Sequence, residues 1–340
     1  KISGDRAGDF WFSFTVRDEV NQVTRGVSAK AADFSALMPR EQADWPGQFE
    51  YAADAGRVLF RGERDGRKAQ GTFEFAPDTN YARQVQASLK TAPSGVDCFW
   101  LAVNQVAAEQ VAAYAQTGEK LTVAEICRLK AHGVSPEYLA TVRKTRAFPV
   151  EEVIRMRNHG VAADLPAAFK EAGYPFGAEE IIRARNHAVS AADAKAWKEA
   201  GFNFGLDELI RMRNYGVRSE FGKAVRETLN QATPEELTKL RNYGVSEQFL
   251  REMRQADGQF TAEDMVYLRN HGVRPDYVVE WRKAGFNFSA KELSSLRNHG
   301  VPADYAAALN VPNRKPLTAD MIIKLRSRGL SAEEIRALRE

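Results

Sequence analysis

Three polar residue types recur along this chain at one spacing, and together they could do chemistry. Arginine stands at Arg157, Arg185, Arg213, Arg241, Arg269, Arg297 and Arg326, with asparagine following at Asn158, Asn186, Asn214, Asn242, Asn270 and Asn298. All five histidines, His132, His159, His187, His271 and His299, hold the next position. A row of guanidinium groups can contact phosphates, one nucleotide or lipid head group per step. A row of side-chain amides, each both donor and acceptor, can hydrogen-bond a peptide backbone. A row of imidazoles suggests a metal, but helical units stack roughly 10 Å apart, whereas metal ligands sit ~2 Å from the ion. Tyr215 and Tyr243 also replace histidine in that row, so no metal and no cofactor is expected.

These residues belong to one phrase, Leu-Arg-Asn-His-Gly-Val, which stands at 268–273 and 296–301. It varies as LKAHGV (129–134), MRNHGV (156–161), ARNHAV (184–189), MRNYGV (212–217), LRNYGV (240–245) and LRSRGL (325–330). The glycine position runs through Gly133, Gly160, Ala188, Gly216, Gly244, Gly272, Gly300 and Gly329, in steps of 27, 28, 28, 28, 28, 28 and 29 residues. Such a period is a tandem repeat. Blocks begin at Thr122, Pro149, Gly177, Gly205, Thr233, Thr261, Ser289 and Thr318. Thr122/Glu125, Thr233/Glu236, Thr261/Asp264 and Ser289/Glu292 have capping-box spacing, in which each side chain satisfies the other's free backbone N–H. A first helix of about ten residues is then expected to stop at the motif glycine, where a left-handed residue closes a helix. Ala188 in that place should cost about 1 kcal/mol. A second helix follows, opened by Ser135-Pro136, Arg274-Pro275 or Pro302-Ala303. Ser94 to Leu121 fits the same ruler as a degenerate capping block, with Gln105 in the glycine position and Asp97 as capping acid.

On a helical wheel, Ile126, Val153, Ile181, Leu209, Leu237, Met265, Leu293 and Ile322 share one position, and Leu129, Met156, Ala184, Met212, Leu240, Leu268, Leu296 and Leu325 lie three residues on. No single block can bury that stripe alone, so the blocks must stack, which predicts an α-solenoid. Glu151/Arg155, Glu179/Arg183, Asp207/Arg211 and Glu235/Lys239 read as i, i+4 pairs on the solvated face. The ladder arginines flank the stripe opposite the capping acids, so Arg of one block is expected to meet Glu of its neighbour. A cation in the last turn also suits the helix dipole. The stretch Leu309–Leu317, with Pro312 and Pro316, is the expected weak seam.

The first 93 residues follow a different pattern. Phe10, Phe12, Phe14 and Val16 alternate with Trp11, Ser13 and Thr15, the period of a half-buried strand. Further strands are expected at 23–28, 48–53, 57–63 and 69–75, with a hairpin turn at Asp65-Gly66 and a helical turn or two at 31–38. Trp11, Trp45 and Tyr51 could line a ligand groove, although core or rim packing is the simpler reading. The expected fold class is therefore α+β: an antiparallel β-domain over 1–93, then two-helix repeats over 94–340.

The net charge is +3. Residues 1–93 hold 13 basic and 13 acidic side chains, and the remainder 35 and 32, so bulk electrostatics do not argue for nucleic acid. No apolar run approaches the ~18 residues that span a bilayer. Cys98 and Cys127 have no metal-ligand spacing. There is no His-Glu-x-x-His, G-x-S-x-G, Walker loop or Rossmann fingerprint. Starting at Lys1 without Met, the chain is compatible with removal of an export signal.

A small β-domain ending near GTFEFAPD (71–78), followed by LRNHGV-type helical blocks, resembles a group of uncharacterised bacterial proteins. The blocks are also similar to the extracytoplasmic tails of some antirepressor-type membrane metallopeptidases. Those peptidases carry His-Glu-x-x-His in a membrane domain, and this chain has neither, so no catalytic role transfers. The resemblance implies an exported, periplasmic or secreted bacterial protein that senses or binds something outside the cytoplasm. The leading expectation is a non-enzymatic binding or scaffold protein whose helical array grips a polypeptide. Nucleic-acid or phosphate binding through the Arg ladder is the alternative, and an enzyme with its site at the junction of β-domain and array is the third reading.

Overall fold

The computed structural model describes residues 2–4, 9–17, 22–30, 47–65, 68–230, 232–256, 259–303, 305, 309 and 317–339. The chain is α+β, a sheet followed by helical repeats. It divides into two compact units, one of residues 1–171 with 175–182, the other of 172–174 with 183–340. The sheet and the earliest helical blocks thus share a unit. The Pro312–Pro316 stretch, the helical turn expected at 31–38, Trp45 and Gly66 lie outside the described residues.

In the first unit, six antiparallel strands pair in the order β3-β2-β1-β6-β5-β4. They are β1 (Ile2–Gly4), β2 (Asp9–Arg17), β3 (Gln22–Lys30), β4 (Gln48–Ala53), β5 (Gly56–Asp65) and β6 (Lys68–Pro77). Five match the alternating stretches of the sequence. The three-residue β1 is too short to leave a period, and it joins the β2–β3 hairpin to the β4–β6 meander by pairing with both β2 and β6.

The sheet covers the first helix of the degenerate block, Gly95–Val103. Phe99 of that helix stacks on Phe73 with ring centroids 4.6 Å apart and meets Phe14 and Phe75 edge-on. Cys98 through Val103 are all buried. A terminal repeat usually differs because one face lacks a neighbour. Here the difference has the opposite cause: this helix is apolar on both flanks because the sheet supplies the missing neighbour. A helix that the sequence pattern did not announce, Thr79–Gln86, packs on Ala108–Ala115 as a second helix would.

Every block opens where the capping residues place it. Thr122, Thr233, Thr261 and Ser289 each accept from the N3 backbone N–H, and the N3 acid returns the bond. Each first helix ends in the same two bonds. In the block opening at Thr122, Gly133 N–H donates to Lys130 O (3.0 Å) and Val134 N–H to Leu129 O (2.9 Å). This is a Schellman motif, and it explains most of the recurring phrase. Leu and Val are the apolar pair that closes the turn, and both are buried. Gly takes the left-handed residue at φ 65°. Ala188 holds φ 54° and Gln105 φ 53° in the same place, with the same bonds. The backbone trap is set by the block, and those two side chains accept its strain.

Within each unit, first helices pack on first helices and second on second. Leu129 and Met156 in one unit, and Leu240, Leu268 and Leu296 in the other, are completely buried. Each such side chain contributes on the order of 2 kcal/mol of burial.

Candidate functional site

Four of the ladder arginines, Arg157, Arg241, Arg269 and Arg326, contact the preceding block. Arg157 Nε donates to Gly133 O at 3.0 Å and its guanidinium lies 5.3 Å from the centre of the Tyr138 ring. Arg269 Nε donates to Gly244 O at 3.1 Å. Arg241 covers Phe221 and Arg326 covers Tyr305, while Lys130, at the same position of its block, donates to Gln110 Oε1 at 2.9 Å. Gly133 and Gly244 are helix-closing residues whose carbonyls lie beyond the last turn, where a cation is favoured. The expected pairing of ladder arginines with capping acids is not what forms: those acids remain bound to their own helix N-termini.

The acid–base pairs read on the first helices join neighbouring blocks rather than residues four apart on one helix. Arg155 pairs with Glu179 rather than with Glu151, and Arg128 pairs with Glu151. Arg183–Asp207, Arg211–Glu235 and Lys239–Glu263 follow the same rule, joining one block to the next. All are exposed, so each adds little to stability.

Two further ladders escaped the sequence reading. Lys170, Lys198 and Arg226 recur every 28 residues on the second helices and donate to Thr145, Gly173 and Gly201 carbonyls of the preceding block. Tyr138, Tyr277 and Tyr305, all four residues after the motif valine, donate their hydroxyls to Val161, Val301 and Leu330 carbonyls at 2.9, 2.7 and 2.7 Å. Burial raises all three phenol pKa values, opposed by the nearby Arg157, Arg297 and Arg326 charges. Tyr114, which donates to Val134 O, is pushed up to about 12, chiefly by burial. The hydroxyl contact of these tyrosines with the next block's closing turn has no local signal in the sequence.

The asparagines and the residues after them stand apart from these contacts. Asn158 lies 3.2 Å from His132 Nδ1, and Asn186 accepts from Arg185. Asn214, Asn242, Asn270 and Asn298 are exposed, and their side-chain amides make no hydrogen bond among the described residues. Tyr215 and Tyr243 are half exposed, at 50% and 49%. His271 and His299 turn Nδ1 toward the carbonyls of Tyr267 and Ser295, completing their own helix ends. One edge of the second unit therefore presents an unpaired amide beside an aromatic ring in each of four blocks.

Of the three aromatic residues considered for a groove in the β-domain, Tyr51 is buried and donates to Ala102 O at 3.5 Å. Trp45 and the Trp11 side chain lie outside the described residues. The junction between the sheet and helix Gly95–Val103 is filled by aromatic rings. Among the described residues, no cluster of His, Cys, Asp or Glu is placed to hold a metal, and no helix is long and apolar enough to cross a membrane. No protein-family model matches the chain, and no curated protein is significantly similar to it.

Proposed function

We propose that the protein is a non-enzymatic scaffold that binds an extended segment of another polypeptide along the Asn–aromatic edge of its second unit. The observation that carries this reading is the set of four unpaired amides, Asn214, Asn242, Asn270 and Asn298, at one repeat position. An amide both donates and accepts, so it can meet the C=O and the N–H of a peptide group, whereas a phosphate would use only its N–H. Blocks about 10 Å apart and an extended chain rising about 3.3 Å per residue bring one amide to every third residue or so. Tyr215, Tyr243 and the histidines add rigid ring surface beside them, the pairing of amide and aromatic that recognises polypeptides elsewhere. Engagement of Arg157, Arg241, Arg269 and Arg326 within the chain favours this reading over a continuous phosphate-binding ladder. The resemblance to extracytoplasmic tails supplies the setting, an exported bacterial protein with a sensing or regulatory partner.

Selection from a randomised peptide display library tests the proposal. Peptides enriched on the wild-type chain should lose binding to a variant carrying Asn214→Ala, Asn242→Ala, Asn270→Ala and Asn298→Ala, whose unfolding midpoint stays unchanged. Equal binding to that variant, or no enrichment, would overturn it.

A further inference from the structure

The step from the block opening at Gly177 to the block opening at Gly205 lacks a contact that four other steps make. At four steps the residue four places after the motif valine reaches under the ladder cation of the next block: Gln110 under Lys130, Tyr138 under Arg157, Phe221 under Arg241, Tyr305 under Arg326. After Val189 that residue is Asp193. Its carboxylate turns back and caps its own helix, accepting from Ser190 Oγ at 2.7 Å and from the Ser190 N–H. The place beneath Arg213 is left open. Arg213 makes no side-chain hydrogen bond, ion pair or ring contact among the described residues, and Val217 O, the counterpart of Val161 O and Val301 O, accepts no hydrogen bond there.

A pocket of about 450 Å³ occupies that place, bounded by Val189, Trp197, Leu209, Arg213, Val217 and Arg241. Neighbouring side chains are trimmed to match. The next core position holds Ala194 where the block at Thr122 has Leu139, and Trp197 swings against Gly222, whose absent Cβ would lie 2.3 Å from the indole ring. Three acids (Asp193, Glu220, Glu247) balance three bases (Arg213, Arg218, Arg241) on its walls. That balance gives an anion little advantage over a neutral guest.

We propose that this pocket receives a tyrosine side chain of the bound polypeptide, which restores from outside the contact that Tyr138, Tyr277 and Tyr305 make from within. The phenol ring lies under the Arg213 guanidinium and its hydroxyl donates to Val217 O. The inference rests on the peptide-binding reading for its biological ligand, but its test needs no peptide.

The probe is N-acetyl-tyrosinamide, titrated into the full chain and followed by the chemical shifts of the Val217 and Arg213 amides and by Trp197 fluorescence. Saturable shifts confined to those residues are expected, with N-acetyl-phenylalaninamide about fivefold weaker for want of the hydroxyl. Asp193→Tyr should abolish binding, because it fills the pocket as Tyr138 does beside Ser135, and should raise the unfolding midpoint. If Asp193→Tyr does not fold, Arg213→Gln supplies the control. It removes no side-chain partner among the described residues, so it should fold normally and weaken binding. No saturable shift, binding that survives Asp193→Tyr or Arg213→Gln in a folded chain, or N-acetyl-phenylalaninamide or inorganic phosphate competing as well as the tyrosine derivative would overturn the proposal. Loss of the Asn edge by alanine substitution should leave this titration unchanged, so the two readings fail separately.

Discussion

The block at Thr122 and the block at Gly177 share one backbone plan and differ in what they put under the following arginine. Both begin with a capped first helix and end it in a Schellman turn. The first uses Gly133, Leu129 and Tyr138 where the second uses Ala188, Ala184 and Asp193. Tyr138 is locked between Arg157 and Val161 O, whereas Asp193 closes its own helix and leaves Arg213 without a side-chain partner among the described residues. The comparison teaches that the repeat has two separable layers. Backbone traps at the helix ends define each block and tolerate a costly residue. Side chains between blocks decide whether a step is sealed or open.

Substituting both +4 residues by alanine would widen that contrast most. Tyr138→Ala removes a buried ring and an interblock hydrogen bond and should cost about 3–5 kcal/mol by chemical denaturation. Asp193→Ala removes a cap and should cost about 1 kcal/mol. Equal costs would mean that the aromatic residue does not seal its step.

The glycine position sharpens the comparison from the other direction. Ala188→Gly should stabilise the chain by about 1 kcal/mol, and Gly216→Ala, at φ 63° with open space around its Cβ, should destabilise it by a similar amount. Opposite signs in the two denaturation curves are the check.

Alkaline pH probes the sealed steps as a set. Tyr138, Tyr277 and Tyr305 have raised pKa values and Tyr114 one near 12, so the folded chain holds these protons more tightly than the unfolded chain. Their contribution is complete below the ordinary tyrosine value of about 10 and is lost as pH rises through the folded values. Denaturation midpoints should therefore fall between about pH 10 and pH 12, and Tyr277→Phe should reduce that fall.

The smallest effect is expected from the exposed ion pairs. Lys239→Gln breaks the pair with Glu263, and its unfolding midpoint should match wild type at moderate salt.

Block boundaries were legible in the sequence because capping boxes and closing glycines act within a few residues. Even the substitutes Gln105 and Ala188 could be placed by counting. The ion pairs were misassigned for a reason built into the period. When an acid lies four residues before a base and the repeat is 28, the same acid lies 24 residues after the previous base. Spacing alone cannot separate Glu179/Arg183 from Arg155/Glu179, and only the stacking does. Helix Thr79–Gln86 was missed because it is a second helix without the phrase that marks a block. The open step was visible in the sequence as an acid, Asp193, in a column that after the other motif valines holds Gln110, Leu165 and aromatic residues, but its meaning needed the position of Arg213 beside the pocket. The unpaired state of Asn214, Asn242, Asn270 and Asn298 likewise depends on what neighbouring blocks bring near, which no local pattern records.

Arg157 and Arg269 each fasten one block to the one before it. Thermal and chemical unfolding of Arg157→Gln and Arg269→Gln, one in each unit, tests this role most directly. Loss of the carbonyl contact, and at Arg157 of the ring contact, should lower stability by about 1 kcal/mol at each site. Wild-type stability in both variants, accompanied by loss of a salt-sensitive affinity for oligonucleotides that the native chain possesses, would contradict it.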